Sequence, residues 1–231
     1  MPEPLTFDKA MQWVGENEIT EEDIRMALKA SNAIENLDNE LFADKFIPAA
    51  LHRQKSSRYC AAYFPLGEDI EEQYVIYVPG FAQALEAATS YMLRFVLDED
   101  GSVNTRRSKD SSEPVYTVNE VILGMASHEV RHRIQHNWPN LVLFSPEHVQ
   151  SINDDPLLKT LLEFHILVNE EEAKEWRERG DSEEEIADKS RQEYDARVVE
   201  GLVHSKLNEF LTIEDWANVV KSQLLDSEGL H

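Results

Sequence analysis

Between Val118 and Gln135 the apolar residues Val118, Val121, Ile122 and Met125 recur in steps of three and four. The same face continues through His128, His132 and Gln135. The pattern predicts a helix that buries one stripe and carries two imidazoles inward with it. Burying two histidines beside Glu129 is costly unless a cation or several hydrogen-bond partners meet them. On a helix, positions 128 and 132 lie on one face about 6 Å apart along the axis, so both rings can reach one ion. Glu129, one residue after the first histidine, is placed to take a proton from a water at such an ion. A shuffled chain of this composition carries such a His-Glu-x-x-His triplet roughly once in thirty sequences. The buried phasing therefore says more than the letters do. The other reading of the same stripe is a pair of core histidines with ordinary hydrogen bonds.

A third ligand must come from elsewhere. His136 follows His132 by four residues, but a rise of about 12 Å from His128 takes it out of reach of a shared ion. The last long helix offers Gln192-Glu193-Tyr194-Asp195-Ala196. Its apolar stripe is set by Val198, Val199, Leu202 and Val203, and Asp195 falls near the centre of that stripe. Glu193 falls to one side. An inward aspartate needs a metal or a charged partner.

Together these segments resemble the zincin-like metallopeptidases, whose active helix reads His-Glu-x-x-His-x-x-Gln and whose downstream helix carries Glu-x-x-Ala. His128, Glu129, His132, Gln135, Glu193, Tyr194 and Ala196 match that pattern, whereas Arg197 stands where Asp or Asn is usual. The resemblance covers two short segments of the chain. It implies a bound zinc ion held by His128, His132 and Glu193. Asp195 is then either the ligand instead or the carboxylate that holds a ligating histidine. It further implies Glu129 as general base, Gln135 and Tyr194 as supporting residues, and a peptide or protein as substrate. Tyr194 is a candidate donor to a developing oxyanion.

Composition narrows the partners. A formal charge of −23 over 231 residues argues against nucleic acid, because phosphate contacts need clustered Lys and Arg. The N-terminal residues lack a basic and an apolar signal-peptide region, and no apolar stretch is long enough to span a bilayer. With Cys60 as the single cysteine, this predicts a cytoplasmic protein without membrane contacts or internal disulfides. The charge also supports a different reading, an acidic binding or regulatory protein whose zincin-like site is structural or inactive. A third is a metal-dependent hydrolase acting on other carbonyl compounds. The sequence leaves the oligomeric state open.

The remaining elements predict a mostly helical α+β fold with a small antiparallel sheet, as one domain over residues 1–231. Thr20-Glu21-Glu22-Asp23 opens an amphipathic helix through Ile24, Leu28, Ile34 and Leu37. Residues 59–64 and 73–78 read as a hairpin, and the aromatic run Tyr74 to Tyr77 reads as a half-buried strand. Such a strand, at an edge, would suit pairing with an extended peptide. Phe81 to Leu97 reads as a helix, and residues 98–114 as a mobile loop. Asn119 is the expected cap of the histidine-bearing helix, with Trp138-Pro139 ending it. A helix from Asp155-Pro156 to Gly180 follows. Ser182 and Glu185 form a capping box for the last helix, expected to run to about Leu211.

Overall fold

The computed structural model describes residues 6–15, 19–54, 60–67, 71–90, 93–97, 103–107, 117–138 and 169–206. It is an α+β fold in which helices dominate. The helices are α1 (Phe7–Met11), α2 (Glu21–Phe42), α3 (Val78–Ser90), α4 (Val118–Asn137), α5 (169–179) and α6 (Glu183–Lys206). A single 3-10 turn, Ala43–Lys45, follows α2. The strands are β1 (Ala49–His52), β2 (Ala61–Phe64), β3 (Gln73–Tyr77), β4 (Leu93–Leu97) and β5 (Val103–Arg107).

Reciprocal capping boxes fix where three of the described helices begin. Thr20 and Asp23 satisfy each other's backbone N–H groups at the start of α2, and Ser182 with Glu185 does the same for α6. In α4 the box is made by Thr117 and Glu120, so the helix starts two residues earlier than the expected Asn119 cap. Asn119 instead accepts a hydrogen bond from the Lys29 ammonium of α2. Gly180, with φ of 95°, ends α5 in the left-handed region that favours glycine.

β1, β3 and β2 form one sheet, in that order. β2 pairs antiparallel with β3 as expected, but β1 joins the other side in parallel, so the sheet is mixed. β3 is therefore its central strand, and the run from Tyr74 to Tyr77 is no edge. Leu93 to Leu97, expected at the end of a helix, pairs instead with Val103 to Arg107 as an antiparallel ribbon. β-branched and aromatic residues at positions 95 and 96 favour the extended form over the helix expected there. β5 also puts a strand inside the expected loop; residues 98–102 and 108–114 lie outside the described residues, as do the expected helix start at Asp155-Pro156 and the residues beyond 206.

The core lies between α2, the sheet and α4. Ile24, Ala27, Ile34 and Leu37 of α2 meet Tyr74 and Ile76 of β3 and Met125, Val130 and Ile134 of α4. A buried polar knot joins the same elements. Arg133 of α4 donates to Asp38 of α2 at 2.5 Å, to Glu72 at 2.9 Å and to the Lys45 carbonyl at 2.6 Å. Tyr74 donates to the other oxygen of Asp38. The Phe42 ring covers the Arg133 guanidinium at 4.0 Å. Buried charges are tolerated only when paired and hydrogen-bonded this fully. The knot fixes one flank of α4. No helix among the described residues is long and apolar enough to cross a membrane.

Candidate metal centre

α4 and α6 pack side by side and run antiparallel. The pairs Gln135 with Gln192, Arg131 with Asp195, and His128 with Glu200 follow each other down the contact. His128 and His132 stand on the α4 face turned toward α6, each part-buried. Glu193 of α6 completes a group of three side chains able to hold one metal ion. Its Oε2 lies 3.6 Å from His128 Nε2 and its Oε1 lies 3.6 Å from His132 Nε2. The two Nε2 atoms are 3.1 Å apart.

Hydrogen bonds decide what these atoms offer. Gln135 Nε2 donates to the Gln192 carbonyl at 2.8 Å and to Asp195 Oδ2 at 2.7 Å. Its Oε1 is thus the acceptor that meets His132 Nδ1 at 2.9 Å. The His132 proton then sits on Nδ1, and Nε2 presents a lone pair. His128 Nδ1 lies 3.2 Å from the Glu200 carboxylate, which accepts, so in a neutral His128 the proton sits on Nδ1 and Nε2 presents a lone pair. With both rings neutral, two lone pairs and a carboxylate would converge on one point. That arrangement calls for a positive charge at its centre.

Zinc meets the requirement. Donor atoms about 2.0 to 2.2 Å from a tetrahedral ion stand roughly 3.3 to 3.5 Å from one another. The separations of 3.1, 3.6 and 3.6 Å lie within about 0.2 Å of that spacing, the two longer ones being to the two different Glu193 oxygens. Two imidazoles and one carboxylate also form a set that zinc accepts, leaving a fourth position open.

The electrostatics point the same way. Burial opposes a charged His128, yet the hydrogen bonds to Glu193 and Glu200 outweigh it and hold the imidazolium well above its ordinary range. At His132 burial prevails and, with the charge of His128, lowers the pKa. Without an ion, a single proton on His128 takes the place of the cation. Burial alone would lift Glu193, but the His128 hydrogen bond and the charges of His132, His128 and Arg197 hold it well below the usual carboxylate range. Glu129 is buried and hydrogen-bonded to the backbone of Tyr63 in β2. Burial, then the charges of Glu193 and Glu200, raise it to about 7 against the pull of His128.

The two acids left open by the sequence have different surroundings. The Glu193 side chain, 25% exposed, faces the histidines. Asp195 is fully buried, as its place on the apolar stripe demands, and its charged partner is Arg131 at 2.6 and 3.1 Å. It reaches His132 only through Gln135. Tyr194 is also fully buried. Arg197 lies 3.6 Å from Glu193 and is hydrogen-bonded to Glu172 of α5. His136 is exposed, its ring 6.2 Å from that of Tyr63.

Two participants escape the sequence reading. Arg131 occupies a variable position of the motif, yet an inward Asp195 requires some such cation. Glu200 follows Glu193 by seven residues, which is nearly two full turns and the same helix face. No family model, curated protein or solved structure matches this chain.

Proposed function

We propose that the chain is a zinc-dependent peptidase of the zincin type. The observation that carries the reading is the convergence of His128 Nε2, His132 Nε2 and the Glu193 carboxylate, each within 3.6 Å of the others. His128, His132 and Glu193 would hold the ion, and Gln135 and Glu200 would keep the imidazole lone pairs turned toward it. When bound, zinc supplies Lewis acidity that polarises a scissile carbonyl and makes a water acidic enough to attack at neutral pH.

Glu129 acts as the general base. Its carboxylate takes the proton of the attacking water and returns it to the departing amine nitrogen. Tyr63, whose backbone holds Glu129, belongs to β2. Among the described residues β2 is paired on one side only, with β3. An extended peptide pairing with β2 would lie alongside Glu129 and the histidines.

Metal analysis provides the test. Protein prepared without chelators should contain about one zinc per chain, and His132→Ala should lose it. Glu129→Gln should keep the metal and lose hydrolysis of a protein substrate such as casein. A wild-type chain that neither contains zinc nor takes it up excludes the reading. A Glu129→Gln variant of undiminished activity removes Glu129 from the chemistry.

A further inference from the structure

We propose that Glu200 is the positioning residue for His128, setting its tautomer and ring orientation so that Nε2 is free to bind metal. The inference rests on His128 being a metal ligand, as argued above. Seven residues separate Glu193 from Glu200, about two turns of α6. One helix therefore presents a carboxylate to each end of the same imidazole. Glu193 stands 3.6 Å from Nε2 and Glu200 stands 3.2 Å from Nδ1. A carboxylate accepts only, so its contact with Nδ1 selects the Nδ1–H tautomer.

One turn after Glu193, α6 carries Arg197. A guanidinium has no acceptor atom, so Arg197 is unable to hold a histidine in its Nδ1–H tautomer. It turns instead to Glu193 and Glu172, which fixes the carboxylate rather than the ring. The acceptor for His128 is supplied one turn later still. His132 is served differently, by the neutral Oε1 of Gln135 on its own helix. The two imidazoles are thus held by partners of unlike charge. The anionic partner makes His128 the more basic of the two ligands.

A surface ion pair would touch the same atoms, since the Glu200 side chain is 35% exposed. Such a pair is worth little to stability and nothing to metal affinity. The two roles separate by measurement. Zinc affinity, read by competition with a chromophoric chelator, should fall about ten- to a hundredfold in Glu200→Ala and less in Glu200→Gln, which keeps an acceptor oxygen. In the zinc-loaded wild type, nitrogen-15 spectra should show His128 protonated at Nδ1, and Glu200→Ala should shift that resonance and speed its proton exchange. The melting temperature of the metal-free protein should change little in either variant. Zinc binding by Glu200→Ala within twofold of wild type overturns the proposal, as does an unchanged Nδ1 resonance. A wild-type chain that binds no zinc fails one step earlier, at the metal site itself.

Discussion

His132 and Asp195 do not touch, but Gln135 ties them together: its Oε1 lies 2.9 Å from His132 Nδ1 and its Nε2 lies 2.7 Å from Asp195 Oδ2. Asp195 in turn is paired with Arg131, and all three of Arg131, Gln135 and Asp195 are buried. The acid at the centre of the apolar stripe therefore works as an anchor between α4 and α6. The acid at its side faces the metal position.

The two carboxylates should separate cleanly on substitution. Asp195→Asn leaves the Arg131 charge buried without its counter-ion, and the metal-free protein should lose about 3 to 5 kcal/mol in urea unfolding. Glu193→Gln removes a ligand and should weaken zinc binding at least a hundredfold, while metal-free stability falls by less than in Asp195→Asn, because the Glu193 side chain is 25% exposed. Equal losses of stability in the two variants would contradict this division of labour.

The knot around Arg133 makes a prediction about non-additivity. Arg133→Met strands Asp38 and Glu72 and should cost about 3 to 5 kcal/mol. Combining it with Asp38→Asn removes the stranded charge, so the double variant should be more stable than the sum of the single losses predicts. Additive losses in a double-mutant cycle would mean that the two side chains do not act as a pair.

Cys60 should be a slow thiol. Burial chiefly, with the charges of Glu129 and Glu200, raises its pKa from 9.0 to about 12. At pH 8 its thiolate fraction is then roughly a thousandfold below that of an ordinary cysteine. Alkylation by iodoacetamide should be correspondingly slow in native protein and rapid in urea. Because the folded pKa is the higher one, this contribution to stability is intact below about pH 9. It is lost as the pH climbs toward 12. Rapid alkylation without denaturant would place the thiol in water.

Thr117→Ala removes the side-chain oxygen that accepts from the Glu120 N–H and should cost about 1 kcal/mol. Asn119→Ala should cost less, since Asn119 makes no cap. The reverse order in thermal melts would restore Asn119 as the start of α4.

What the sequence made legible was local. Thr20 with Asp23, and Ser182 with Glu185, lie within one helical turn of their partners, and their geometry follows from spacing alone. Periodicity likewise turned Asp195 inward. It gave no partner, because Arg131 lies more than sixty positions away and a buried arginine reads like a surface one until its acid is known. Asp38 and Arg133 were hidden for the same reason. β1 is four residues long and joins β3 in parallel, so neither a run of alternating residues nor a turn announces it. The ribbon of β4 and β5 was hinted at by Asp100-Gly101, a pair common in hairpin turns, within a stretch otherwise read as loop. The histidine pair was legible because both ligands lie on one helix. Its third member needed a second helix.

That separation gives the site a mechanical character. His132 and Glu193 are joined by about sixty residues of chain, so an ion shared between them closes a long loop much as a disulfide would. Unlike a disulfide, such a staple opens whenever the free metal concentration drops. Part of the free energy holding α6 against α4, beside the Arg131–Asp195 pair, would then vary with the metal supply of the surroundings.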